Sequence, residues 1–178
     1  MPENPVHEGL VAQGWNYSLE DAKDYVSKYG KLNVGQMYTT ASGATEIDIE
    51  LTEGRITPSL GICPNGTVTI DWGDDSTDTV SGTSLTTLVS TRHTYASAGR
   101  YTIKLTTSDS FAIIGDTSYS SQLLWDQKAA SFSTNRGYHN AIKAVRIGKN
   151  TSIGQNAFRG CMSLSSISIP NSVTSIGK

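Results

Sequence analysis

The C-terminal part of the chain carries the same pattern twice, and this repetition limits the fold more than any other feature. Ile142-Lys143-Ala144-Val145-Arg146-Ile147-Gly148, continuing to Ile153-Gly154, aligns with Leu164-Ser165-Ser166-Ile167-Ser168-Ile169-Pro170, continuing to Ile176-Gly177, at spacings of 22 to 23 residues. A period of that length marks a solenoid, in which each unit is a short strand with a return and buries its apolar side only against neighbouring units. Val145 and Ile147 in the first unit, and Ile167 and Ile169 in the second, are expected to face inward, with Phe158 and Leu164 turning the coil. Lys143, Arg146, Ser166 and Ser168 then occupy the outer strand faces, and they are the binding residues this region nominates. Stable arrays need roughly three units or more, and fewer than two complete ones are present. The pattern therefore predicts an array cut at Lys178, with Ile167, Ile169 and Val173 partly exposed or self-associating through the open repeat end.

The stretch from Gly66 to Leu105 has a different regularity. Val68, Ile70 and Trp72 alternate with Thr67, Thr69 and Asp71, and Tyr101, Ile103 and Leu105 repeat the pattern, as half-buried strands do. Gly73-Asp74-Asp75-Ser76 and Ser97-Ala98-Gly99 between them are turn chemistry. With Gly54, Pro58, Gly61, Pro64 and Asn65-Gly66 as punctuation, strands are predicted at Thr67 to Trp72, Leu85 to Ser90, Arg100 to Thr107 and Phe111 to Ile114. That cadence is the cadence of a β-sandwich. Upstream, Ile47, Ile49 and Leu51 alternate with Glu46, Asp48 and Glu50, giving one more strand with an acidic wet face.

The N-terminal forty residues read as an irregular, extended lead-in whose Val6, Leu10 and Trp15 are expected to dock on another surface, followed by a helix and a short strand around Leu32, Val34 and Met37. Ser18 caps the helix with Asp21 at the third position, and Gly30 stops it. Leu19, Ala22, Tyr25, Val26 and Tyr29 form an apolar stripe expected to pack into the core. Residues 116–140, with Tyr119, Phe132 and Tyr138 among polar residues, lose the alternation and read as a connector in which Leu123-Leu124-Trp125 seals a junction between the sandwich and the repeats. The expected division is thus 1–40 lead-in and helix, 41–115 sandwich, 116–140 connector and 141–178 repeats.

Charge and special chemistry exclude more than they assert. A net charge of -2 lacks the cationic excess that displaces counterions from nucleic acid. No run approaches the ~18 apolar residues of a membrane span, and MPENPVHEGL is no signal peptide, so a cytoplasmic chain and a chain cleaved from its leader both fit. Cys63 and Cys161 have no metal or redox spacing and are read as reduced packing residues, although pairing depends on a distance sequence does not give. Asp71, Asp74, Asp75 and Asp78 crowd one loop and are the calcium candidates, but Asp is ordinary in a hairpin turn and the spacing is not an EF-hand's. No metal and no cofactor are expected. His7, His93 and His139 are scattered, GxSxG is missing, and the chain is read as non-enzymatic, with His93 a hydrogen-bonded structural residue.

Two resemblances add to this reading. Trp72-Gly73-Asp74-Asp75, His93-Thr94-Tyr95 and Gly99-Arg100-Tyr101-Thr102-Ile103-Lys104-Leu105 resemble the polycystic-kidney-disease (PKD) domain, an immunoglobulin-like sandwich, over residues 45–115. The chain departs from it in Asp75, where a second Gly is usual, and in the insertion from Ser81 to Thr87. The run from Ile153-Gly154-Gln155-Asn156-Ala157-Phe158 through Cys161, Leu164 and Ile167-Ser168-Ile169-Pro170 to Gly177 resembles the BspA-type leucine-rich repeat of microbial surface proteins. Its first unit departs, with Gly148 for Pro and one residue fewer before Ile153, as a capping unit would.

Together these imply a mainly β fold, a PKD-like β-sandwich with a short N-terminal helix followed by the start of a leucine-rich repeat solenoid. The implied function is that of a non-catalytic, secreted or cell-surface adhesion protein presenting its repeats to a host or matrix protein or glycan. The rivals are an accessory region of a larger secreted carbohydrate-active enzyme and a structural stalk.

Overall fold

A computed structural model describes residues 10–15, 18–31, 36–40, 43–115, 122–126, 138–173 and 176–177. The protein is mainly β, with one short helix and a curled ten-stranded sheet. In the N-terminal part, β1 (Leu10–Trp15) pairs antiparallel with β2 (Gln36–Thr40), and α1 (Leu19–Tyr29) lies between them in sequence. Leu10–Trp15, within the lead-in, is therefore a strand where an irregular segment was expected. Its alternation is broken by a register shift between Ala12 and Gly14, which hides it from a period-two reading. Val6, His7, Leu32, Val34, Tyr119 and Phe132 lie outside the described residues.

The ends of α1 follow from local chemistry. The Ser18 side chain accepts the Asp21 amide at 3.0 Å, and Gly30 adopts φ 83° while its amide bonds the Val26 carbonyl. Its apolar stripe does not join the core, however, because no residue of α1 is buried and Leu19, Tyr25, Val26 and Tyr29 are all exposed. Amphipathic spacing specifies a face, not what covers it.

The sheet is organised on β4 (Ser59–Asp71), 13 residues long. Its first half pairs with β6 (Val89–Arg92) and with β9 (Leu124–Trp125). Its middle, Cys63 to Asn65, pairs with β8 (Ser110–Ile113), and its second half with β5 (Thr77–Thr83) and β7 (Gly99–Thr106). Ser59 to Pro64 are buried without a break, and alternation returns only from Thr67 onward. Pro64 and Asn65-Gly66 do not end the strand; they mark where it changes partners. Pro64 has no amide to donate but its carbonyl accepts from Ser84, and Gly66, at φ 116°, leaves no room for a Cβ beside Asp109.

Three strands differ from expectation for identifiable reasons. β5 has one apolar residue, Val80, and reads as a polar loop, but every residue from Thr77 to Thr83 is paired with β4. β6 begins only at Val89, since Ser84 ties residues 84–87 into a turn through its bonds with Thr86 and Thr87. Gly61 lies under the connector, where a Cβ would meet the Gln122 carbonyl at 2.6 Å, and Leu123 and Leu124 are fully buried there. The junction role expected for Leu123-Leu124-Trp125 is thus one of strand addition to β4.

Beyond β7 the sheet continues through β3 (Thr45–Leu51) to β10 (Ile142–Arg146) and β12 (Ser166–Ser168), while β11 (Thr151–Ile153) adds in parallel to β8. β10 and β12 are parallel, with Ala144, Val145 and Arg146 opposite Ser166, Ile167 and Ser168, a 22-residue offset that matches the sequence period. One hydrophobic cluster runs from Ile47, Ile70, Trp72 and Leu105 to Val145, Ile147, Ile153 and Cys161. Cys63 and Cys161 are both buried and not joined in a disulfide, and burial pushes the Cys63 thiol pKa up, away from reactivity.

Candidate functional site

The outer face of β7, β3, β10 and β12 is one continuous, mainly polar surface. Register places Lys104, Glu46, Arg146 and Ser168 in one row across the four strands, and Thr102, Asp48, Ala144 and Ser166 in the next. Strict alternation would put Lys143 on the inner face with Val145. A register shift between Ile142 and Ala144 turns it outward instead, where its Nζ lies 3.6 Å from Glu50. All four residues nominated by the repeat, Lys143, Arg146, Ser166 and Ser168, therefore share this face.

Arg146 is its centre. The guanidinium donates from both terminal nitrogens to the two Asp48 oxygens at 2.7 Å each, and from Nε to Glu46 at 2.8 Å. This fork holds the Asp48 carboxyl below the usual range, with a further hydrogen bond from Thr102 acting the same way. The same bonds raise the arginine's own pKa. Arg100 donates to Glu50 at 3.3 Å and, with Lys143, keeps that exposed carboxylate ionised to lower pH. Arg146 is thus already engaged, and the cations facing outward are Arg100, Lys104 and Lys143. These three, with Asp48, Glu50, Asp71 and Tyr101, border an open depression of about 720 Å³.

Sequence reading nominated the repeat half of this surface and set aside the other half as a wet strand face. The signal for the other half was available in two complementary alternations. Glu46-x-Asp48-x-Glu50 and Arg100-x-Thr102-x-Lys104 carry acids and bases at the same period, which is the pattern of directly opposed strands.

The Asp71 to Asp78 loop is a second polar cluster, and most of its carboxylates have local work. Asp71 accepts the Gly73 amide at 2.9 Å, Asp78 accepts Trp72 Nε1 at 2.9 Å, and Asp74 accepts both Ser76 Oγ at 2.5 Å and His93 Nε2 at 2.8 Å. Burial pushes Asp74 upward, but the bonds from Ser76 and His93 outweigh it and its pKa is lowered. Asp75 occupies the left-handed region at φ 68°, a conformation that Asp adopts more readily than most residues with a side chain. Among the described residues no group of three or more His, Cys, Asp or Glu is placed to share a metal ion.

His93 stacks on Trp72 at 4.8 Å, Tyr95 donates its hydroxyl to the Trp72 carbonyl at 3.0 Å, and Tyr101 lies 4.1 Å from Tyr95. Ser76, His93 and Asp74 do not form a catalytic relay. Both oxygen partners approach the same imidazole nitrogen, and Ser76 gives its proton to Asp74. His139 is fully buried beside Gly160, far in sequence from this cluster.

Among the described residues no helix is long and apolar enough to cross a membrane. No curated protein and no solved structure matches the chain. Residues 130–178 match the family model described as BspA type leucine rich repeat region (6 copies), so this part of the chain is similar to that family and the 45–115 segment lies outside the match.

Proposed function

We propose that this chain is a non-catalytic binding segment of a secreted or cell-surface protein. It presents the outer face of β7, β3, β10 and β12 to a host or matrix protein or glycan, and the 45–115 segment is a PKD-like sandwich that carries the repeats. The observation that supports this most is the continuity of the face: its rows cross from β3 into β10 and β12 without a gap, so partner contacts can span the sheet and the repeats together. The Trp72, His93 and Tyr95 cluster, with β7 paired to both β3 and β4, supports the sandwich reading.

The chemistry of the face narrows the partner. Glu46, Asp48 and Glu50 lie among Arg100, Lys143 and Arg146 in mutual contact, so the surface offers closely spaced donors and acceptors and little net field. Sugar hydroxyls and polar protein side chains complement such a surface; a polyanion does not. The test is a glycan and protein array probed with the parent chain and with a Lys104→Glu/Lys143→Glu variant. Binding that the double variant loses supports the assignment, and binding that it retains places the partner elsewhere.

A further inference from the structure

The first repeat unit is held by two strands that are far apart in sequence. β10 pairs with β3, and β11 pairs with β8, so the outer edges of the curled sheet receive both strands of the unit. The second unit repeats these positions one step outward, parallel on the β11 side as β11 is to β8, whereas on the other side β12 runs parallel to β10 and β3 runs antiparallel to it. Ile167 stands opposite Val145 as Val145 stands opposite Ile47, and Ile176 bridges to Ile153 as Ile153 pairs with Ile113. The backbone agrees: Gly154 donates its amide to the Ile113 carbonyl at 2.8 Å, and Gly177 donates to the Ile153 carbonyl at 2.9 Å. Close approach is reproduced as well, since a Cβ on Gly154 would meet Ile114 at 2.7 Å and one on Gly177 would meet Gln155 N at 2.6 Å.

We infer that β3 and β8 together form a docking surface for a repeat unit, standing in the place of a unit before the first. The partner that fits is a 22-residue coil carrying a β-branched residue opposite Ile47, another opposite Ile113, and glycine at the two close approaches. The joint also has polar chemistry of its own. Thr45 and Thr151 share a buried hydroxyl contact at 2.6 Å, Gly148 donates to Thr45 Oγ1 at 2.9 Å, Lys149 donates to the Gly43 carbonyl and Phe111 to the Asn150 carbonyl. Gly148 is packed so closely on the Ala44 backbone that a Cβ has no space. This explains why the first unit has Gly148 where the second has Pro170: proline there would lose the bond to Thr45 and collide with Ala44.

The test is amide hydrogen exchange on the full chain carrying Gly148→Pro, Thr45→Val or Ile167→Asp. Gly148→Pro should speed exchange in β10, β11 and β12 by about tenfold or more while β4 and β7 stay within about twofold of the parent. Ile167→Asp should speed exchange in β12 alone. Parent-like protection of β10 and β11 in Gly148→Pro would overturn the inference, as would equal loss in β4 and β12 for Ile167→Asp. If Gly148→Pro fails to fold, Thr45→Val decides. It keeps the side-chain shape and removes the hydroxyl, so faster exchange centred on β10 and β11 supports the joint and unchanged exchange there refutes it.

Discussion

The cluster around Trp72 and the fork at Arg146 are both networks of charged and aromatic or hydroxyl groups, but they connect different distances along the chain. Asp78, His93 and Tyr95 lie within 23 positions of their partners in the first. Arg146 reaches residues 98 and 100 positions away in the second. The first fixes one turn and the strands it joins, β4, β5 and β7. The second ties a repeat strand to the sheet. Local networks shape an element, whereas distant ones determine which elements stay together, and the two should fail differently.

The largest effect is expected at Trp72. It is fully buried, and Trp72→Ala removes its ring from His93 and Tyr95 and strands the Asp78 carboxylate, so about 3–5 kcal/mol should be lost in chemical denaturation. An unchanged midpoint would show that the cluster does not hold the sheet.

Arg146→Met should cost less, about 1–2 kcal/mol, because Asp48 and Glu46 lose their cation but keep partial access to water. Its signature is where the loss falls: exchange in β10 should accelerate before exchange in β5. The reverse order would remove the distinction between the two networks.

Acid sharpens the same comparison. Asp48 has a folded pKa below its ordinary value of 3.8, so its contribution is complete above that value and is lost as pH falls from there through the folded pKa. The parent should therefore lose stability more steeply below about pH 4 than Asp48→Asn does. Identical acid profiles would show that the fork contributes nothing.

The smallest effect is expected at Ser18→Ala. Loss of a helix cap weakens the helix by about 1 kcal/mol, but α1 buries no residue, so amide exchange in α1 should rise while the global midpoint stays put.

These differences track what could be read in advance. The caps of α1, the Trp72 strand and the repeat period are legible because their causes lie within a few residues or recur at fixed spacing. The exposure of α1 was not legible, since an amphipathic pattern is the same with or without a partner. β5 was hidden by its threonines, and the outward turn of Lys143 by a single-residue bulge. The polar face was half read, because Glu46, Asp48 and Glu50 acquire their meaning only from Arg100 and Arg146, which no local window contains. At the open end, Ile169 and Val173 are half-buried. Ile167 is 40% exposed and Ile176 is 58% exposed, although their counterparts one unit inward are buried.

Gly148 also gives the repeats a direction in heredity. A duplication that copies the first unit outward carries a glycine into a place where proline sits in the second, at the modest cost of a looser unfolded chain. A deletion that moves the second unit into first position brings Pro170 against Ala44 and Thr45 and breaks the joint. The unit that docks on the sheet and the unit that follows it are therefore not interchangeable at this position.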